Sequence, residues 1–259
     1  MQYHKAKKSL GQNFLKSDKI LGDIVTAGDV SNKDIVLEIG PGKGALTEKI
    51  LEKADSVIAV EKDRELYQIL KEKFKQEIRA KKLILIEGDI LDLNPKSIGL
   101  KQNKYKIIAN IPYNITGAIL RKFLTEATHP STMVLMLQHE VVKRITARDG
   151  KESILSTSVK AYGVPKMVMK VGARYFSPMP KVDSAVISIK DISKRTFEES
   201  GKKENDFWDL IHKGFAHKRK KLNNNLKGYK NINQNVFTKF KDKRAEDLSL
   251  FDWLSLTNQ

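Results

Sequence analysis

Apolar residues fall along this chain in two alternating patterns. Short unbroken runs at 34–39, 56–60, 83–86, 105–109 and 132–137 have the character of strands buried on both faces. Between them, apolar positions recur at helical spacing: Ile20, Leu21, Ile24 and Val25; Ala45, Leu46, Ile50 and Leu51; Leu66, Ile69, Leu70 and Phe74. A further helix is predicted over 116–127, another begins at Val141, Val142 and Ile145, and a third covers 153–162. Two late strands are expected at 166–171 and 185–189. Strands that alternate with helices predict an α/β fold around a parallel sheet. Composition shifts over 192–203, and Phe207, Trp208, Ile211 and Phe215 then suggest a small helical unit. The expected division is therefore 1–192 and 193–259.

Charge narrows the function. A formal net charge of +17 on 259 residues predicts attraction to a polyanion, either nucleic acid or an anionic membrane surface. No run approaches the length of a membrane span. The basic start, Met1 to Lys8, is not followed by the apolar segment of a secretory signal, so a cytoplasmic location is expected. Cysteine is absent, which excludes disulfide and thiolate chemistry, and the histidines show no ligand spacing, so no metal site is expected.

Four strands end in residues suited to a ligand. The first runs into Gly40-Pro41-Gly42-Lys43-Gly44 ahead of a helix, and glycines at such a place let backbone approach a ligand. The spacing matches neither the dinucleotide fingerprint nor the Walker loop, and a bare turn stays open. Glu61 ends the second strand, where an acidic residue takes the ribose hydroxyls of an adenosine-bearing cofactor; an exposed ion pair with Lys62 or Arg64 is the plainer alternative. Asp89 follows the third strand and could accept from an adenine amino group, with Ile90 over the ring. Ligands in open α/β sheets bind beyond the carboxyl ends of the strands, and these placements agree with that rule.

The fourth strand delivers Asn110-Ile111-Pro112-Tyr113. An exocyclic amine on an aromatic base is a poor nucleophile because its lone pair is delocalised. Two fixed acceptors, the Asn110 side-chain oxygen and the Ile111 carbonyl, would hold its protons and favour the pyramidal geometry of attack. Pro112 would fix the turn, and Tyr113 would offer a face for a purine. The alternative is an ordinary strand-end loop with a half-buried tyrosine. Phe176, in a loop bracketed by prolines, could form an opposite wall or simply pack in the core. From Leu210 through Lys241 there are nine Lys and Arg residues, Lys218, Arg219, Lys220 and Lys221 among them, and no acid. That is either a solvated face or a phosphate-binding surface.

Together these residues resemble the ribosomal small-subunit adenosine dimethyltransferases of KsgA type. The resemblance rests on Gly11-Gln12-Asn13-Phe14-Leu15, Glu38-Ile39-Gly40-Pro41-Gly42, Asn110 to Asn114, Phe176-Ser177-Pro178 with Pro180 to Ser184, and Phe215 with Lys218-Arg219-Lys220 and Asn224. It implies a class I methyltransferase fold, Rossmann-like, with a seven-stranded mostly parallel sheet and a small C-terminal helical RNA-binding domain. It implies S-adenosylmethionine as cofactor, with Gln12, Asn13 and Leu15 joining Gly40, Gly42, Glu61, Asp89, Ile90 and Asn110 at its site. It also implies dimethylation of two adjacent adenosines in the 3′-terminal hairpin of small-subunit rRNA during ribosome assembly. The expected partner is that rRNA within a pre-assembled subunit, with free rRNA left open, and a monomer is expected. Lys218 and Asn223 stand where the family carries arginine, which bears on docking. Rival readings are an Erm-type methyltransferase of large-subunit rRNA and an assembly factor without activity. A nicotinamide oxidoreductase has the wrong glycine spacing.

Overall fold

The computed structural model describes residues 5–147 and 151–258; Met1 to His4, the start of the basic N-terminal segment, lie outside them. The strands are β1 (Phe14–Leu15), β2 (Ile35–Ile39), β3 (Ser56–Glu61), β4 (Leu83–Glu87), β5 (Tyr105–Asn110), β6 (Thr132–Gln138), β7 (Val164–Val171), β8 (Phe176–Ser177) and β9 (Ser184–Lys190). Seven of them form one sheet in the order β4-β3-β2-β5-β6-β9-β7. The pairs β2–β3, β3–β4, β2–β5 and β5–β6 are parallel, while β9 is antiparallel to both neighbours. This is the mostly parallel, Rossmann-like sheet that was expected. The uninterrupted apolar runs explain it: Val36, Leu37, Val57, Ala59, Ile107, Ile108, Val134 and Leu135 are all buried, as central parallel strands require.

Helices α1 (Asp18–Ala27), α2 (Ala45–Leu51), α3 (Arg64–Lys73), α4 (Lys75–Arg79) and α5 (Thr116–Thr125) connect these strands, and α6 (His139–Ile145) follows β6. The chain runs outward from β2 through β3 to β4, then returns to place β5 on the other side of β2. The direction of winding therefore reverses between β2 and β5, which opens a crevice at their carboxyl ends.

The chain divides into two compact units, one of Met1–Val142 with Val164–Ile192 and the other of Lys143–Gly163 with Ser193–Gln259. A single cut at 192 misplaces the segment before β7. Its helix α7 (Ile154–Lys160), started by a reciprocal Ser153–Ser156 capping box, belongs with the C-terminal residues. The cause is aromatic packing. Tyr162 stacks on Trp208 at 6.2 Å between ring centroids and lies 5.6 Å from Phe197, and Trp208 Nε1 donates to the Tyr162 hydroxyl at 3.0 Å. The rest of this unit comprises α8 (Arg195–Ser200), α9 (Glu204–Gly214), α10 (Leu222–Asn225), α11 (Gln234–Phe240) and α12 (Leu250–Leu256). Its centre is Trp253, fully buried against Gly214, where a Cβ would stand 2.3 Å from the indole.

Candidate active site

A cavity of about 460 Å³ opens at the carboxyl ends of β2, β3, β4 and β5. That volume suits a cofactor-sized molecule. Gly40 and Gly42 border it after β2, Glu61 at the end of β3, Asp89 and Ile90 after β4, and Asn110 to Tyr113 after β5. Gln12, Asn13 and Leu15 close it from the N-terminal segment. Sheet topology thus brings together residues scattered over the first half of the chain.

Gly40 has φ +66°, and a Cβ built there would meet nothing within 4 Å. The conformation calls for glycine, and the space over it is free for a ligand. Glu61 is buried, with its two carboxylate oxygens accepting from the Gly42 N–H at 3.0 Å and the Asp63 N–H at 2.8 Å. Burial pushes its carboxyl up, against the opposing effect of those two donors. Burial also opposes charge on Asp89, but the Lys62 ammonium at 2.7 Å and the Leu91 N–H at 2.9 Å outweigh it and hold the carboxyl below its ordinary range. The pairing with Lys62 that stood as the plainer alternative for Glu61 is made by Asp89 instead. Glu38 also faces the cavity, is 1 % exposed, and has an Oε2 with no hydrogen-bond partner among the described residues. Burial first, then the charge of Glu61, pushes its carboxyl up to about 8.

The Asn110 end of the cavity is held by the N-terminal segment. Asn110 Nδ2 donates to the Asn13 carbonyl at 3.1 Å, and no hydrogen bond to Asn110 Oδ1 is found among the described residues. Ile111 is buried, Pro112 has φ −56°, and Tyr113 begins a single 3-10 turn over Tyr113–Ile115. Asn110, Ile111, Pro112 and Tyr113 thus follow one another along one cavity wall.

The Gln12 side chain, on the cavity wall, also ties the N-terminal segment to Asp63. Its Oε1 accepts from the Lys7 N–H and its Nε2 donates to Asp63 Oδ2, each at 2.8 Å. Asp63 also takes the Lys7 ammonium at 2.8 Å and caps α3 through the Glu65 N–H. This buried carboxylate ties the N-terminal segment to the end of β3, a role that no motif in the sequence marks. An Asp directly before a helix was the available signal.

Phe176 requires a correction. It is 3 % exposed, packs in the core with Leu15 and Val171, and does not border the cavity. The reason is a short ribbon unseen in the sequence: β1 pairs antiparallel with β8, Leu15 against Phe176 and Phe14 against Ser177. Alternation along β8 turns Phe176 inward and leaves Ser177 on the cavity wall.

In the second unit, Lys218, Arg219, Lys220 and Lys221 are exposed. The long acid-free stretch is partly answered by the fold, since Lys221 pairs with Asp242 at 3.0 Å. Asp242, Glu246 and Asp247 line the same shallow hollow as Arg219, Lys220, Lys221 and Arg244. No ion pair of Lys218, Arg219 or Lys220 is found among the described residues. Neither a cluster of His, Asp and Glu able to hold a metal nor a helix long and apolar enough to cross a membrane is found among them.

Known proteins resemble this chain along nearly its whole length. A "Ribosomal RNA small subunit methyltransferase A" from Dehalococcoides mccartyi strain CBDB1 is 41% identical over 259 residues, covering 97% of this chain and 87% of the relative. A dimethyladenosine transferase from Plasmodium falciparum superposes with a TM-score of 0.79 at 27% identity, covering 93% of this chain and 95% of the other. The 23S rRNA methyltransferase ErmE shares the fold, with a TM-score of 0.73 at 23% identity over 93% of this chain and 97% of its own. The cavity fits S-adenosylmethionine: the space over Gly40 admits a ligand against the backbone, and the acidic side chains of Glu38, Glu61 and Asp89 can meet its hydroxyl, amino and cationic groups. The family model for ribosomal RNA adenine dimethylase matches residues 3–259, and with a match of that extent the chain belongs to this family of S-adenosylmethionine-dependent rRNA adenine dimethyltransferases.

Proposed function

We propose that this enzyme dimethylates N6 of two adjacent adenosines in the 3′-terminal hairpin of small-subunit rRNA during ribosome assembly. The small-subunit name of the 41%-identical relative supports the choice of rRNA. The exposed cations of the second unit, Lys218, Arg219 and Lys220, supply backbone-phosphate contacts. The observation that carries the chemistry is the orientation of Asn110, whose nitrogen is committed to Asn13 and whose oxygen is free at the cavity.

When bound, the cofactor supplies an electrophilic methyl group. Glu61 takes the ribose hydroxyls of that cofactor, and Asp89 with Ile90 takes its adenine. The target base, extruded from its stack, lies against Tyr113. Asn110 Oδ1 and the Ile111 carbonyl accept the protons of its amine and orient the nitrogen lone pair, and Pro112 holds that carbonyl in place. Placement of the reacting atoms supplies much of the acceleration. No strong base is required, because nitrogen becomes acidic on methylation and releases its proton afterwards; an amide suffices where a carboxylate would be unnecessary.

Mass spectrometry of rRNA from cells with and without the chain tests this reading. Loss of dimethyladenosine at two neighbouring positions near the 3′ end of small-subunit rRNA is expected. A change confined to large-subunit rRNA would contradict it.

A further inference from the structure

Tyr113 is held at two ends. Its backbone is fixed by Pro112 and the 3-10 turn, and its phenol oxygen lies 2.7 Å from Ser184 Oγ. Ser184 is fully buried and begins β9, in register with Gln138 of β6 and Val171 of β7. The residue before it is clamped as well. The Asp183 carbonyl accepts from the His139 N–H at 3.0 Å, and its carboxylate accepts from the Ala173 N–H at 3.0 Å and the Lys170 ammonium at 2.8 Å. The Ser184 hydroxyl is therefore a fixed post inside the sheet. Among the described residues its only side-chain partner is Tyr113. A buried hydroxyl costs stability unless it is hydrogen-bonded, so this contact is what offsets its presence.

The two methyl transfers place unequal demands on that post. In the first, the adenine amine carries two N–H groups, and both acceptors beside Tyr113 can hold it. An N–C bond forms as the donor S–C bond breaks, and the nitrogen releases a proton to water. In the second round one N–H remains, so one hydrogen bond to the protein is gone. Rotation about the C6–N6 bond must still put the lone pair, not the methyl group, toward the donor. With fewer directional contacts on the amine, the orientation of the base depends more on the plane of the ring beneath it. Resting on the reading of Tyr113 as the stacking face, we infer that Ser184 is a positioning residue for the second transfer: it fixes the Tyr113 ring when the amine has lost one of its own anchors.

Ser184→Ala and Tyr113→Phe remove the same hydrogen bond from opposite ends, and Tyr113→Phe leaves the buried strand untouched should the serine variant fold poorly. Each is assayed in single turnover with S-adenosylmethionine on small subunits from cells lacking the enzyme, and mono- and dimethyladenosine are quantified separately. In Ser184→Ala the second-transfer rate should fall about tenfold while the first changes by roughly threefold or less, so that monomethyladenosine accumulates; in Tyr113→Phe the ratio of second- to first-transfer rate should fall by a similar factor, whatever the first transfer itself loses. The double variant should behave like either single one. Equal loss in both transfers, an unchanged product ratio, or multiplying effects of the two substitutions would overturn the inference. Tyr113→Ala separates this from the reading beneath it. If that variant works at wild-type rate, the stacking face itself is wrong. If it is inactive while Ser184→Ala and Tyr113→Phe dimethylate normally, only the role of Ser184 fails.

Discussion

The side-chain amide of Asn110 donates to the backbone carbonyl of Asn13 at 3.1 Å, across 97 residues of chain. This contact decides which end of the amide the cavity sees. An amide has one donor end and one acceptor end, and committing the nitrogen to a carbonyl directs the oxygen the other way. The N-terminal segment therefore helps to build the acceptor as well as the cavity wall.

That segment is anchored in turn by Gln12 and Lys7 on the buried Asp63. Gln12→Ala should weaken cofactor binding about tenfold, the order of one hydrogen bond to a charged group, while kcat at saturation changes little. Calorimetric titration with S-adenosylmethionine measures this; unchanged affinity would mean that Asp63 and Lys7 hold the segment without it.

Two glycines should respond in opposite ways. Gly40→Ala puts a methyl group into open cavity space at φ +66°, so cofactor affinity should drop while most of the fold is kept. Gly214→Ala drives a methyl group into Trp253 and should cost about 1–3 kcal/mol of stability, with cofactor affinity unaffected. Thermal unfolding and cofactor titration of both variants distinguish the two effects.

Glu38 gives a pH dependence of defined sign. Its carboxyl is raised from an ordinary 4.5 to about 8, so the folded protein binds a proton there that the unfolded chain has released. Stability from this group is complete below about 4.5 and is lost as pH rises toward 8. Glu61 is raised by burial and acts in the same direction. Asp63 and Asp89 are lowered, and their contributions disappear only in acid. The unfolding temperature of the cofactor-free protein should therefore fall between pH 5 and 8, and Glu38→Gln should flatten that slope. A slope unchanged by the substitution would show that Glu38 is ionised in the fold.

RNA affinity should depend on the exposed cations of the second unit. With Lys218, Arg219 and Lys220 all changed to Ala, the slope of log affinity against log salt should become shallower by about 2–3. An unaltered slope would place the phosphate contacts elsewhere.

Much of this architecture was legible because uninterrupted apolar runs leave a strand little choice but the middle of a parallel sheet. The ends of those strands then mark the site, and Gly40, Glu61, Asp89 and Asn110 do meet at one cavity. Phe176 was not legible, since its direction depends on the two-residue pairing of β8 with β1, too short to leave a periodicity. The place of the segment Lys143–Gly163 in the second unit was not legible for a related reason. Its allegiance is set by Tyr162 meeting Phe197 and Trp208, a contact between distant residues that local composition does not encode. The ion pair of Lys221 with Asp242 was not legible either, because the acid lies just beyond the basic stretch and returns only through the fold.

The central claim is that Asn110 holds the substrate amine rather than the cofactor or the fold. Its direct test is Asn110→Ala, with methyl transfer to small subunits and cofactor affinity measured on the same preparation. Transfer should fall by about 10²–10³, the loss of one preorganised polar contact to the reacting group, while cofactor affinity stays within a few-fold. A variant that binds cofactor normally and still methylates near the wild-type rate would contradict the account.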